Sequence, residues 1–253
     1  LPEQRYDWMN QYGQNILGKK GYIAEGLFTQ AEIDDMARWE SLSQANKATT
    51  PKPFASQFGT VKAGDIKYKD LNNDGQIDAY DKTYICRGDV PTMVYGFGFT
   101  LGWKNLSLGM MFQGTHDAER IMSGSSIQPF NGGSGNLYSN IDDRWTEDNP
   151  NQNAFYPRLS YGAETSSNIN NFQPSTWWVR DFSFLRLKTM QISYNLPKDW
   201  VNKVRLKNAA VYVMGTNLFT LSKFKLWDPE TGSSDGGIYP PLRVFTIGLN
   251  AKF

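Results

Sequence analysis

From Met93 the chain alternates between two kinds of residue. Met93, Tyr95, Phe97, Phe99, Leu101 and Trp103 are large and apolar, while Thr92, Val94, Gly96, Gly98, Thr100 and Gly102 are mostly small or polar. A repeat of two is the side-chain period of a β-strand. Lys104-Asn105 interrupts it, and the alternation resumes on even numbers with Leu106, Leu108, Met110 and Phe112 against Ser107, Gly109 and Gln113, Met111 being the exception. The two runs predict a hairpin with a tight turn. Two further strands are expected within residues 177–196 and 205–221, joined by the short connection 197–204, and a last strand over 242–253. Phe182, Phe184, Met190, Ile192, Tyr194 and Leu196 share a parity that Arg186 and Lys188 break, which predicts a β-bulge near residues 185–187.

The second face of the first strand changes the meaning of the pattern, because it carries glycine and threonine and no charge. A soluble sheet usually dresses its outer face in Lys, Glu, Asp and Thr. A transmembrane β-strand crosses in roughly 9 to 11 residues, with large side chains toward lipid and small ones toward a lumen. Trp103, Trp177, Trp178 and Tyr194 stand near expected strand ends, where aromatic girdles form. Short connections at 104–105 and 197–204 alternate with long ones at 115–176 and 222–241, the asymmetry of outer-membrane barrels. The end of the chain adds Phe245, Ile247, Leu249, Ala251 and a terminal Phe253, an alternation that resembles the signal read by the outer-membrane assembly machinery, or is an ordinary final strand. The fold class expected is all-β, with antiparallel transmembrane barrel strands; a soluble, calcium-stabilised β-rich module for carbohydrate binding or adhesion is the alternative. Five clear strands, with two candidates in the first 68 residues, fall short of the roughly eight that close the smallest barrel. The chain is therefore expected to be a fragment of a larger barrel, or its sheet is not a barrel.

The first part reads differently. Residues 29–45 form the one helical pattern, with Thr29 and Glu32 as a capping box and Ile33, Met36, Ala37 and Leu42 on one apolar face. Residues 49–53 are a proline-containing connector, and residues 123–174 a long loop region of the kind that carries function or disorder. Residues 1–90 are thus expected to form a loop and strand region with a short helix, and 91–253 the barrel strands with long loops. Across all 253 residues, 14% aromatic content beside 23 glycines and 12 prolines favours strands and turns. No run approaches the ~20 apolar residues of a spanning helix. A net charge of +1 gives no basic field for nucleic acid, so no nucleic-acid partner is expected. The start at Leu1, without a signal-peptide pattern, reads as a mature or truncated piece.

One segment carries sharp chemistry, Asp70-Leu-Asn-Asn-Asp-Gly-Gln-Ile-Asp-Ala-Tyr-Asp81. Calcium takes roughly six to eight oxygens, which a twelve-residue loop supplies from positions 1, 3, 5, 7, 9 and 12 around a glycine at 6. Asp70, Asn72, Asp74, the Gln76 carbonyl, Asp78 and Asp81 fill those places, with Gly75 at the turn and Ile77 as apolar anchor. Asp81 replaces the usual bidentate Glu, which points to weaker affinity or better tolerance of magnesium. The competing reading is a solvated acidic turn around Asn-Asp-Gly. A bound ion would be structural, since saturating it with protein oxygen leaves little room for substrate.

The remaining chemistry is sparse, and no catalytic residue is expected. His116 reads as a surface residue and Cys86 as a small, partly buried thiol without an adjacent base. Asp142-Asp143 and Glu147-Asp148 are the carboxylate pairs a glycosidase would need, but they lie in a long loop. There is no phosphate loop, metalloprotease signature or serine elbow. Phe130, Tyr138, Trp145, Phe155, Tyr156 and Trp227 could stack on sugars or peptides, or simply pack their loops.

Several phrases occur together and in order: Gly21-Tyr-Ile-Ala-Glu-Gly-Leu-Phe28 with Thr29-Gln-Ala-Glu-Ile33, Gly64-Asp-Ile-Lys-Tyr-Lys-Asp-Leu-Asn-Asn-Asp-Gly-Gln-Ile-Asp78, Tyr95-Gly-Phe-Gly-Phe99, Gln113-Gly114, Arg144-Trp-Thr146, Tyr156-Pro-Arg158, Phe184-Leu-Arg-Leu-Lys188, Tyr194-Asn-Leu-Pro197, Asn217-Leu-Phe-Thr220 and Asp228-Pro-Glu230. With them the chain resembles the carboxyl-terminal part of the SusC/RagA-type TonB-linked outer-membrane proteins. Cys86-Arg87-Gly88 departs from an Ile-Gly phrase of that family, and its amino-terminal plug and TonB-contact segment are not among these residues. The resemblance implies part of a barrel of roughly 22 strands around a plug in the outer membrane of a Gram-negative bacterium. It also implies a SusD-like surface lipoprotein as lid, TonB as energy source, and import of oligosaccharides or, in some members, peptides. Met93–Trp103 and the later strands would be wall against outer-membrane lipid, with the acidic loop and long connections outside the cell.

Overall fold

A computed structural model describes residues 4–130, 137, 139–160 and 169–253. Among these residues the strands are β1 (Lys19–Gly21), β2 (Ala24–Leu27), β3 (Ile66–Tyr68), β4 (Thr83–Cys86), β5 (Met93–Trp103), β6 (Leu106–His116), β7 (Glu119–Ile121), β8 (Val179–Asp181), β9 (Phe184–Asn195), β10 (Asn208–Ser222) and β11 (Val244–Lys252). Helices are α1 (Gln30–Glu40), α2 (Gln44–Lys47) and α3 (Lys198–Lys203). β1 pairs with β4, β2 with β3 and β7 with β8, and the remaining five form one sheet in the order β11-β10-β9-β6-β5. No described helix is long and apolar enough to cross a membrane.

The chain divides into two compact units, Leu1–Gly88 with Arg120–Arg180 and Ser234–Gly237, and Asp89–Glu119 with Asp181–Ser233 and Ile238–Phe253. Each is discontinuous in sequence, an arrangement that a linear division at residues 90 and 91 does not express.

In the first unit, local signals act as anticipated at the start of α1. The Thr29 hydroxyl accepts from the Glu32 amide and the Glu32 carboxylate accepts from the Thr29 amide at 2.9 Å, which satisfies two of the donors a helix start leaves open. The helix ends at Glu40 and restarts as α2 after Ser43, whose extended backbone and side-chain cap open a new turn, so the expected 29–45 helix is two pieces. No residue of α1 is buried, which leaves it peripheral. The core combines Phe28, Ile66, Tyr156 and Trp178 with Asp65, Asn170, Asn171 and Ser175, all at most 1% exposed. Asparagine side chains pair with β3 as a strand would: Asn170 Nδ2 donates to the Ile66 carbonyl at 2.7 Å, and Asn171 Oδ1 accepts from the Ile66 amide at 2.9 Å. Burying amides is tolerable because their hydrogen bonds are made.

The second unit is the antiparallel sheet. The β5–β6 hairpin turns at Lys104, which takes the left-handed conformation at φ 53°, and runs in register from Trp103↔Leu106 to Met93↔His116. Between β6 and β9 the register shifts, Met111 facing Thr189 and Phe112 facing Leu187, so Lys188 is the extra residue of a bulge just beyond the expected 185–187. The connection between β9 and β10 contains α3, which buries Val201.

Trp178 corrects one expectation. It lies before β9, 1% exposed in the first unit's core, and donates from Nε1 to the Asn171 carbonyl at 2.9 Å; it is not a residue at the end of a wall strand.

Candidate functional site

Register places side chains on faces. Residues directly opposite in antiparallel pairs point the same way, so Phe97, Phe99, Leu101 and Trp103 share a face with Phe112, Met110, Leu108 and Leu106. Through β9 that face continues with Met190, Ile192 and Tyr194, through β10 with Val211 and Val213, and through β11 with Leu249 and Ile247. It carries no charged residue over five strands. Its members are open to the surroundings, Trp103 at 69% and Ile247 at 78% exposure, and Phe97 and Phe99 at 51% and 44% are wrapped in no core. The other face holds Gly98, Thr100, Ser107, Gly109, Thr189, Gln191, Ser193 and Thr246, with Ser107 and Ser193 hydrogen-bonded across strands at 2.6 Å.

The bulge explains the two residues that broke parity. One extra residue at Lys188 reverses the alternation, so Leu185 and Leu187 join the apolar face while Arg186 leaves it. Arg186 is 1% exposed and its guanidinium pairs with Asp228 and, at 3.2 Å, Glu230; Lys188 also pairs with Glu230. Asp228-Pro-Glu230 in the β10–β11 connection thus neutralises Arg186, a buried cation that would be costly without a partner, and Lys188 beside it.

In the first unit, the acidic loop forms a chain of side-chain-to-backbone hydrogen bonds. Asp70 Oδ2 accepts from the Gly75 amide at 2.8 Å, Asn72 Oδ1 from the Asp74 amide at 3.0 Å, and Asp74 Oδ1 from the Gln76 amide at 2.9 Å. Asp78 caps the Tyr80 amide at 2.7 Å, and buried Asp81 accepts from the Leu71 and Asp78 amides. Burial pushes the Asp81 carboxyl above its ordinary value, with nearby Asp70 adding to the rise against the amides that lower it. Gly75, at φ 83°, makes the turn that the motif requires, and Ile77 is buried, its amide tied to the Ser56 carbonyl. Asp70 Oδ1 is buried without a hydrogen-bond partner. Among the described residues no three His, Cys, Asp or Glu side chains converge as a metal cluster.

A second polar locus in this unit was not foreseen. Asp65 is a buried hub, Oδ1 accepting from Arg158 Nε at 3.0 Å and Asn171 Nδ2 at 2.9 Å, and Oδ2 from the Lys62 amide at 2.8 Å. Beside it a cavity of about 540 Å³ is lined by Lys62, Arg144, Trp145, Glu147 and Arg158 among others. Trp145 is positioned by the hydrogen bond its backbone amide donates to the Tyr156 carbonyl at 3.0 Å and by Gly64, where a Cβ would stand 2.2 Å from the indole.

Other flagged residues carry less. His116 is exposed beside Asp117, and Cys86 is buried and in no disulfide. Asp142, Asp143, Glu147 and Asp148 are exposed. Of the loop aromatics, Tyr156 and Trp145 are buried, Phe155 packs under the Arg180 guanidinium at 4.8 Å, and Trp227 packs on Phe224 at 4.9 Å; Phe130 is half-buried, and Tyr138 lies outside the described residues.

No family model matches the chain. TonB-dependent receptor P26 of Formosa agariphila is 36% identical over 203 residues, which is 75% of this chain and 20% of that protein. TonB-dependent receptor SusC of Bacteroides thetaiotaomicron is 22% identical over 237 residues, 93% of this chain and 20% of that one. A solved RagAB peptide transporter structure superposes with a TM-score of 0.60 at 28% identity, over 79% of this chain and 22% of the other. The chain belongs with the SusC/RagA-type TonB-dependent receptors. It spans about a fifth of the length of these relatives. Such relatives are receptors and transporters rather than enzymes. For a SusC/RagA-type chain, the antiparallel five-stranded sheet is barrel wall.

Proposed function

We propose that this chain supplies wall and loops to an outer-membrane transporter of a Gram-negative bacterium that imports oligosaccharides or peptides, driven by TonB. The observation that carries the reading is the uncharged apolar face running across β5, β6, β9, β10 and β11, while the opposite face mixes small and polar residues with Met111, Tyr212 and Met214. In water such a face would be an aggregation liability, whereas against hydrocarbon it is the stable arrangement. The β5 and β11 edges are open in this sheet, and the rest of the barrel would pair with them. The first unit would stand outside the cell, where a SusD-like lipoprotein and the solute would meet it; the RagAB and SusC relatives support a lipoprotein-capped complex. The test is fractionation of the full-length protein: it is expected to stay with outer membranes after carbonate washing, and recovery in the soluble fraction would overturn the reading. Growth on a glycan or peptide as sole nutrient, lost on deletion of the gene, then identifies the cargo.

We also infer that the 70–81 loop holds a calcium ion for structural purposes. The supporting observation is Asp70, which spends one oxygen on the Gly75 amide and leaves Oδ1 buried and unpartnered. That oxygen, with Asn72, Asp74, the Gln76 carbonyl, Asp78 and Asp81, offers the oxygen-rich set that calcium favours. Closing on the ion would draw together carboxylates that do not converge as a cluster here. Calcium is expected to raise the melting temperature of the full-length protein, and Asp70→Ala with Asp74→Ala to abolish that rise; an unchanged calcium titration in the double variant would remove the claim.

A further inference from the structure

We infer that the short-connection end of the five-stranded sheet binds the headgroups of anionic phospholipids in the periplasmic leaflet of the outer membrane. The inference rests on the barrel-wall reading and goes beyond it, since a wall needs hydrocarbon and not a lipid of particular charge.

Charge in this unit lies only at the ends of the strands. Residues 93–103, 106–115, 189–195, 208–221 and 244–251 contain none. At the long-connection end, residues 89–92, 116–119, 181–188, 222–233 and 238–243 carry six carboxylates and five cations, which nearly cancel, and Arg186 and Lys188 are paired there with Asp228 and Glu230. The other end carries Lys104, Lys198, Lys203, Arg205, Lys207 and Lys252 against one carboxylate side chain, Asp199. Register brings these cations together: Trp103, Leu106, Tyr194, Val211 and Leu249 form one row across the sheet, and all six lie beyond it. Each is exposed, and no ion pair holds any of them among the described residues.

Apolar neighbours make this a lipid surface rather than a merely solvated one. Trp200 and Val204 stand four residues apart on α3 and at its end, 63% and 64% exposed, while Val201 is buried, so the connection turns apolar side chains outward beside its cations. Lys104 Nζ lies 5.0 Å from the centre of the exposed Trp103 ring. Exposed indoles with lysines and arginines reaching past them suit the boundary between acyl chains and phosphates. Backbone conformation adds an independent sign. Lys104 and Arg205 take φ of 53° and 56°, a left-handed conformation that glycine adopts at lower cost, so both turns keep a cation where the backbone favours another residue. The long connections leave from the opposite end, and in outer-membrane barrels the short ones face the periplasm, where the leaflet is phospholipid.

Electron spin resonance on the full-length receptor in phosphatidylcholine liposomes tests this, with spin-labelled phosphatidylglycerol and spin-labelled phosphatidylcholine as probes. The motionally restricted lipid at the protein surface is expected to favour phosphatidylglycerol by roughly threefold, and to lose that preference in about 0.5 M salt. Lys198→Gln, Lys203→Gln, Arg205→Gln and Lys207→Gln together should abolish the preference without reducing the total restricted lipid. Lys223→Gln with Lys225→Gln, at the long-connection end, should leave it unchanged. Should the fourfold variant fail to fold, Lys203→Gln with Lys207→Gln is expected to reduce the preference by about half. Equal restriction of the two lipids, a preference undiminished in whichever variant folds, or an equal loss in the Lys223 and Lys225 variant overturns the proposal and leaves the wall reading standing. Absence of any restricted lipid overturns both.

Discussion

In the five-stranded sheet many large apolar side chains are exposed, Phe97, Leu101, Trp103 and Ile247 among them. The other unit inverts this, with Phe28, Ile66, Tyr156 and Trp178 buried around fully enclosed Asp65, Asn170 and Asn171. One sequence thus meets two solvents. Against hydrocarbon a strand needs only a closed backbone ladder and an apolar outer face, so its specificity is repetitive and local. In water a loop-rich unit has few ladders to satisfy its backbone, so buried side chains take over that work: Asn170 and Asn171 hydrogen-bond β3, and Asp65 gathers donors from 62, 158 and 171.

The largest effect that would sharpen this contrast is at the hub. Asp65→Ala removes the carboxylate paired with Arg158 and one of the two acceptors of Asn171 Nδ2, and breaking a buried pair in this way costs about 3–5 kcal/mol. Hydrogen exchange should show protection lost around β2, β3 and residues 169–173 while β6, β9 and β10 keep theirs. Equal loss in both regions would mean that the hub does not define a separate cooperative unit.

On the sheet the decisive variable is which face receives a charge. Met110, in the middle of β6, lies on the apolar face, and Gln191 of β9 lies on the polar one opposite Gly109. Met110→Arg is expected to cost about 2–4 kcal/mol in folding from urea into liposomes, and Gln191→Arg to stay within about 0.5 kcal/mol, as surface substitutions do. Equal costs would show that the two faces meet the same solvent.

How far each region could be read beforehand follows from the same difference. The alternation of β5, β6, β10 and β11 survives in sequence because each strand carries its own two-residue period, and Arg186 and Lys188 marked the bulge by violating it. What the period does not convey is where those cations go; Asp228 and Glu230 are 42 residues away, and only the fold joins them. The helix cap at Thr29 and the turn at Gly75 were legible because their partners lie within a few residues. The hub was not, as Asp65 and Arg158 are 93 residues apart. The cavity beside it likewise needs Lys62 and Arg144 brought together. Trp178 misled because a tryptophan before a strand reads alike whether it reaches for an interface or for a core.

The smallest expected effect is alkaline. Burial first, then the negative charges of Asp81 and Asp78, push the Tyr22 phenol up to about 12, and burial raises Tyr68 as well. Their rings lie 5.5 Å apart in the first unit. In the unfolded chain a phenol ionises near 10, so the folded state retains protons that the unfolded state releases. Stability from these two groups is therefore complete below pH 10 and is lost as pH rises from there through the folded values. Phenolate absorbance of the full-length protein should show a late-titrating fraction that Tyr22→Phe reduces, with the first unit's exchange protection declining above pH 10 before that of the sheet. If Tyr22→Phe leaves the late fraction unchanged, the buried phenol is not where the contrast between the two regions resides.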